Sequence, residues 1–171
     1  IFFENFEGYL FNYDETVDET PFNGKYQFDY TDSLIHIQVI SEKDPDSLIV
    51  KHNPFQGMIL DGISLLYYSR YFSRKTGVDT VTYLADAGEE TAIISFEGYK
   101  KPLLLPDFKK AVKASYLEGR MTGEGIAGLS GFFKGYFAMD NQRPPLKAHL
   151  KVFIGFITLY LESWEKWTPD Q

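Results

Sequence analysis

Alternation of apolar and polar positions runs through most of the chain and predicts strands. In residues 34–40, Ile35, Ile37 and Val39 fall on one side and the polar His36 and Gln38 on the other, as in a half-buried strand. Similar patterns pair residues 25–30 with residues 34–40, and residues 79–84 with residues 90–96, as hairpins across short turns. About nine or ten strands with such short connections predict antiparallel order.

Further apolar and aromatic runs extend this pattern in both directions. They predict strands at residues 6–13, 48–50, 111–117, 132–139, 146–152 and 156–164. Residues 14–20, which repeat Asp-Glu-Thr, are predicted to be a solvated loop, and Gly155 is predicted to mark a bend.

One segment departs from the alternation and predicts a helix at about residues 61–73. Helical spacing gathers most of its apolar side chains in an arc of roughly 200°. The arc contains Ile63, Leu65, Tyr67, Tyr68, Tyr71 and Phe72. Because a surface helix needs an apolar stripe only a little wider than about 100°, this one is predicted to be covered on more than one side. Asp61 is the predicted N-cap and Gly77 the predicted stop.

These elements together predict the fold class. The protein is predicted to be mainly β, with a strongly curved antiparallel sheet or half-open barrel packed around the one helix. A length of 171 residues predicts a single domain spanning residues 1–171. The aromatic share of 17% agrees with a strand-rich chain, because Phe and Tyr favour strands.

Charge and composition narrow the classes of function. A net charge of −7 argues against nucleic-acid binding, which needs a basic surface. The absence of cysteine excludes disulfides, thiolate catalysis and Cys-based metal sites. The longest apolar run, residues 152–161, is too short for a transmembrane helix of about 20 residues, so an integral membrane protein is not predicted. The chain begins at Ile1 rather than Met, so we expect that a segment such as a signal peptide lies upstream of it.

The motifs for catalysis and cofactor binding are weak. Residues 123–128 spell G-x-G-x-x-G, but the dinucleotide fingerprint needs a following helix and the next segment has a strand pattern. The three histidines, His36, His52 and His149, are far apart and are predicted to be solvated, so no metal and no cofactor is predicted. A pair of carboxylates from separate strands, as in a glycosidase, stays an open alternative.

Two stretches together resemble a family of exported bacterial proteins. The first is residues 61–70, Asp-Gly-Ile-Ser-Leu-Leu-Tyr-Tyr-Ser-Arg, and the second is residues 131–146, with Asp140 and Arg143-Pro144 in its turn. The family is a domain of unknown function (number 3108), and the similarity spans about residues 6–164. It implies export, removal of a signal peptide and a place in the periplasm or cell envelope. It also implies a curved sheet like those of lipoprotein carriers, with further N-terminal strands before residues 6–13 that this sequence lacks. It brings no catalytic residues.

The aromatic helix and the aromatic strands predict the function. We expect a non-enzymatic envelope protein that holds a lipid or another apolar ligand in the concave face of the sheet, although an ordinary core is the alternative explanation of the same side chains. The predicted ligand-binding residues are Leu65, Tyr67, Tyr68, Tyr71 and Phe72. The alternatives are a structural or assembly factor that recruits an envelope protein through a sheet edge, and, third, a hydrolase.

Overall fold

Two compact units make up the chain. The computed structural model describes residues 10–17, 20–85, 88–124, 130–152 and 155–169. The first unit comprises residues 1–61 and the second residues 62–171. The sequence predicts one domain for the whole chain, whereas the structure groups its residues into these two units.

The first unit is built on a four-stranded antiparallel sheet in the order β1-β2-β3-β4. Its strands are β1 (Leu10–Val17), β2 (Thr20–Asp29), β3 (Leu34–Ser41) and β4 (Asp44–Pro54), and a two-residue strand β5 (Ile59–Leu60) follows. The predicted hairpin of residues 25–30 with residues 34–40 is confirmed by the pairing of β2 with β3.

The predicted loop at residues 14–20 is wrong, because β1 continues to Val17 and β2 begins at Thr20. Asp14 pairs with Asn23 and Val17 with Thr20 in the ladder. The β-branched Thr and Val residues of this stretch favour a strand, and charged side chains are tolerated on a strand at the end of a sheet. Residues 6–9 of the predicted strand 6–13 lie outside the described residues.

The second unit combines a helix with a larger antiparallel sheet. Its elements are α1 (Gly62–Phe72), β6 (Thr76–Ala85), β7 (Gly88–Tyr99), β8 (Ala114–Glu124), β9 (Ser130–Ala138), β10 (Pro145–Lys151) and β11 (Phe156–Tyr160). From β6 to β11 each strand pairs with its neighbour in sequence, and the described strands do not close into a barrel. The predicted fold class, mainly β with antiparallel sheet packed around one helix, is confirmed.

The predicted start of the helix agrees with the structure, whereas the predicted stop residue does not. It begins at Gly62, directly after the predicted cap Asp61, and ends at Phe72. The predicted stop at Gly77 is wrong, because Gly77 lies inside β6 with a φ of 121°. The chain leaves the helix earlier, where the Ser73 hydroxyl donates to the Arg70 carbonyl oxygen at 2.9 Å.

The sheet of the second unit has two chemically different faces. Leu117, Gly135 and Ala148 are direct cross-strand neighbours, as are Gly119, Phe133 and Leu150. Neighbours in register share a face, and this apolar face carries α1. We call it the helix-bearing face. The opposite face holds an aromatic row, Tyr116, Tyr136 and Tyr160, with Lys147 between the last two.

The helix buries a narrower stripe than its sequence predicts. Leu65, Tyr68 and Ser69 are buried, whereas Tyr67 and Tyr71 are about half exposed. Ile63 and Leu66 are also about half exposed. The predicted cover on more than one side is therefore wrong: one stripe of the helix meets the sheet, and the rest of the apolar arc faces outward.

A separate core cluster lies under the segments that connect the strands of the second unit. Its buried members are Leu105, Phe108, Val112, Ala114, Ala138, Leu146 and Trp167. The Trp167 indole Nε1 donates to Asp140 Oδ2 at 2.7 Å, so the segment after β11 is held against the turn between β9 and β10. A buried indole needs such a partner for its N–H group.

Candidate functional site

An apolar cavity lies between α1 and the helix-bearing face. Its volume is about 190 Å³. The helix contributes Gly62, Leu65, Leu66 and Ser69, and the sheet contributes mainly Leu117, Met121, Phe133, Gly135, Phe137, Ala148 and Leu150. All of these residues belong to the second unit, so the cavity is complete within it.

The space arises where small residues meet in register. Gly135 lies between Leu117 and Ala148 in one cross-strand row. Two of the three residues in that row, Gly135 and Ala148, are therefore small. A Cβ on Gly135 would lie 3.2 Å from the Cδ1 atom of Leu117, so the Leu117 side chain lies over Gly135. In the next row Phe133 covers Gly119. Gly135 and Ala148, the two smallest residues of their row, thus both lie on the wall of the cavity beneath the helix.

The chemistry of the walls suits an apolar group. Leu, Phe and Met side chains supply most of the surface, and burial of apolar surface is the favourable term for a ligand there. Lys147 borders the cavity, but its ammonium group lies over the rings of Tyr136 and Tyr160, 5.9 and 5.2 Å from their centroids. Those rings are on the opposite face of the sheet, so its charge is directed away from the cavity. An apolar cavity of about 150 Å³ can hold benzene, so this one has room for a ring or a short stretch of acyl chain.

The predicted ligand-binding residues are distributed over three environments. Leu65 lies on the cavity wall. Tyr67 and Tyr71 are about half exposed and do not line the cavity, and neither does the buried Tyr68. Phe72 packs against the rings of Tyr68 and Tyr71, with centroid distances of 4.7 and 4.9 Å.

Sequence reasoning missed the sheet side of the site. Residues 132–139 are predicted as a strand from their aromatic side chains, but the glycines of the observed strand β9 carry the more useful signal. Glycine inside a strand often marks a place where another group approaches the backbone. Gly131 and Gly135 both line the cavity, so this signal is present in the sequence.

Tyr68 serves to attach the helix to the sheet. Its hydroxyl donates to Asp79 Oδ2 at 2.6 Å, and the Lys75 ammonium contacts the same oxygen. Burial and the hydrogen bond to Asp79 raise the pKa of the Tyr68 hydroxyl. For Asp79, burial acts to raise the pKa, but the hydrogen bonds from Lys75 and Tyr68 outweigh it and the pKa is lowered.

The two stretches that carry the family resemblance meet at the C-terminal end of α1. Arg70 Nε donates to the Gln142 carbonyl oxygen at 3.2 Å, and Arg143 Nη1 donates to the Tyr71 carbonyl oxygen. Asp140 organises the turn by accepting hydrogen bonds from the backbone N–H groups of Gln142 and Arg143 at 2.8 and 2.9 Å. Residues that lie about 70 positions apart therefore form one junction between helix and turn.

Two of the three histidines come together in the first unit. His36 and His52 are cross-strand neighbours, and their Nδ1 atoms are 2.8 Å apart. His149 lies in the other unit, where its Nδ1 is 2.9 Å from the Thr158 hydroxyl. Among the residues that the structure describes, no group of three or more metal-binding side chains occurs.

The glycine-rich passage connects two strands. β8 ends at Glu124 and β9 begins at Ser130, so a strand follows the G-x-G-x-x-G pattern where the dinucleotide fingerprint needs a helix. Gly125, Gly128 and the residues between them lie outside the described residues.

Comparison with protein-family models finds no match to this chain, and comparisons with curated proteins and with solved structures find none either. In the described part of the chain, no helix has the length and apolar character needed to cross a membrane.

Proposed function

We propose that this protein is a non-enzymatic protein of the cell envelope that holds a lipid or another apolar ligand in the cavity between α1 and the helix-bearing face. The observation that carries the proposal is the apolar cavity of about 190 Å³ within the second unit. The resemblance to an exported bacterial family supports the envelope location. No catalytic step is assigned to any residue.

The size and position of the cavity define what it can accept. A space of this volume accommodates one ring or part of one acyl chain, and a larger lipid would leave the remainder of its chain outside. Exposed apolar side chains border the cavity at Leu66 and Phe132, and Ile157 and Leu159 continue the helix-bearing face toward β11. These side chains offer further apolar surface to a longer ligand.

Native mass spectrometry of the purified protein, followed by solvent extraction, tests the proposal directly. A stoichiometric adduct of lipid size supports it and identifies the ligand class. A bare mass that stays unchanged after incubation with membrane lipids contradicts it. The same spectra report any protein that co-purifies.

A cavity-filling substitution tests the location of the ligand. Ala148→Leu places a larger side chain in the gap, and we expect N-phenyl-1-naphthylamine, an apolar fluorescent probe, to bind about tenfold more weakly. This corresponds to excluding two methylene-sized groups at about 0.8 kcal/mol each. The variant is expected to keep its stability or to gain about 0.5–2 kcal/mol, as cavity-filling changes commonly do.

Tyr67→Ala is the matched control, because Tyr67 lies on the same helix but outside the cavity wall. We expect the probe to bind this control as it binds the wild type. Unchanged binding by Ala148→Leu, or loss of binding by Tyr67→Ala alone, would place the ligand elsewhere.

A second candidate function is a structural or assembly factor that recruits an envelope protein. The observation that favours it is β11, which ends the strand order of its sheet and has all five residues exposed. Phe156 and Tyr160 are apolar on one face, and Ile157 and Leu159 on the other. An apolar strand at a sheet edge can pair with a strand of another protein. A stoichiometric protein partner together with an empty cavity in the native mass spectra favours this candidate.

A further inference from the structure

Three of the four arginines in the chain gather where α1 meets the turn between β9 and β10. Each donates a hydrogen bond to a backbone carbonyl oxygen rather than to a carboxylate. The pairs are Arg70 with Gln142, Arg74 with Met139 and Arg143 with Tyr71. We call Arg70, Arg74 and Arg143 the arginine cluster.

Within the described part of the chain, none of the three arginines forms an ion pair with a carboxylate. The ion pairs found there join lysines to carboxylates. Asp140 is close in sequence, but its two oxygens accept hydrogen bonds from the turn backbone and from the Trp167 indole.

Arg143 is the member with unused hydrogen-bonding capacity. Its Nε is buried and has no hydrogen-bond partner among the described residues. A buried donor without a partner costs free energy, and the cost is greater for a charged group. Burial, and then the positive charge of Arg74, lowers the pKa of Arg143, as expected for a guanidinium with like charges beside it.

The arginine cluster adjoins the apolar cavity along the chain. Ser69 on the cavity wall directly precedes Arg70, and Pro145 on the wall lies two residues after Arg143. The cavity follows α1 from Gly62 to Ser69, about 10 Å at the helical rise per residue, and the cluster lies at the far end of that path.

We propose that the arginine cluster binds the anionic group, a carboxylate or a phosphate, of an amphiphile whose apolar part occupies the cavity. Guanidinium groups suit both anions, because their planar N–H donors match two oxygens at once. The apolar half of this inference rests on the proposed function, whereas the anion site rests on the arginines themselves.

A pair of ligands that differ only in charge tests the inference. Decanoate and decanol have the same chain length, and each can be titrated against bound N-phenyl-1-naphthylamine. We expect wild-type protein to prefer decanoate. Arg74→Gln changes an exposed side chain, and we expect it to weaken decanoate binding about fivefold to tenfold, as loss of one charge-assisted hydrogen bond does, and to leave decanol binding unchanged.

Two further variants make the result specific. Lys101→Gln removes the same charge from another exposed position, and we expect it to bind both ligands as the wild type does. Arg74→Lys keeps the charge without the planar donors and is expected to bind decanoate with intermediate affinity. Equal wild-type affinity for decanoate and decanol, or an equal loss of both in Arg74→Gln, would overturn the inference.

Inorganic phosphate alone separates the anion site from the cavity. We expect phosphate to raise the thermal midpoint of the wild type and not that of Arg74→Gln, because a ligand that binds only the folded state stabilises it. If neither decanoate nor decanol binds, the proposed function fails, and the phosphate shift alone decides for or against the anion site. If phosphate binds but decanoate has no advantage over decanol, the cluster takes a free anion and the amphiphile is excluded.

Discussion

The hydrogen bond from Tyr68 to Asp79 allows a quantitative test of how α1 is attached to the sheet. Tyr68→Phe removes the hydroxyl that donates to Asp79 Oδ2 at 2.6 Å and changes nothing else in the size of the ring. A hydrogen bond to a charged group contributes about 1.5–3 kcal/mol. Asp79 keeps its contact with Lys75, and its side chain is 20% exposed, so water can replace part of the loss.

We therefore expect Tyr68→Phe to lower the free energy of unfolding by about 1–2 kcal/mol. For a chain of this length, that corresponds to a fall in the thermal midpoint of about 2–8 °C. Urea unfolding followed by circular dichroism measures the free energy directly. Tyr99→Phe, which removes the hydroxyl of a tyrosine that is 52% exposed, is the control and is expected to change stability by less than about 0.5 kcal/mol.

The same variant separates two roles for Tyr68. The sequence predicts that it binds ligand, whereas the structure places it outside the cavity wall and bonded to the sheet. Binding of N-phenyl-1-naphthylamine should therefore be unchanged in Tyr68→Phe. A double-mutant cycle with Asp79→Asn isolates the energy of the pair. If Tyr68→Phe is as stable as Tyr99→Phe, or if the cycle shows no coupling, the hydrogen bond between Tyr68 and Asp79 does not attach the helix to the sheet.

Two further predictions concern packing and pH. Gly119→Ala would place a Cβ within contact of the Phe133 ring and 2.6 Å from the Ile93 carbonyl oxygen. We therefore expect the free energy of unfolding, measured with urea, to fall by about 1–3 kcal/mol. A variant as stable as the wild type would contradict the close packing at Gly119. The lowered pKa of Asp79 gives stability that is present above the unfolded value of about 3.9 and is lost as the pH falls through the folded value. Unfolding measured from about pH 6 to about pH 3 should therefore show less acid destabilisation in Asp79→Asn than in the wild type, and equal curves would contradict the assignment.

The elements that depend on local pattern are predicted well from the sequence. The helix predicted at residues 61–73 is found at Gly62–Phe72, and the hairpins predicted for residues 34–40 and 90–96 are found with their partners. Periodicity and turn residues act over a few positions, so the sequence alone contains this information. The bend predicted at Gly155 is confirmed by its φ of 86°, which favours glycine.

The site depends on long-range register, which the sequence does not show. The helical spacing places Leu65, Tyr67 and Tyr71 in the same apolar arc and does not show which of them lines the cavity. Only the packing of α1 against the sheet puts Leu65 on the cavity wall. Similarly, two small residues share one row of the cavity wall because Gly135 is in register with Ala148, on a strand separated from it by a turn. No local pattern predicts which cross-strand row will contain two small residues.

The position of Trp167 has a consequence for the biogenesis of the protein. The core cluster that begins with Leu105 is incomplete until Trp167 has been synthesised and has reached Asp140. Contacts over such long separations form slowly, because the chain between them must first be ordered. This core cluster of the second unit would thus stay incomplete until synthesis of the chain is nearly finished, whereas the four-stranded sheet of the first unit does not depend on Trp167.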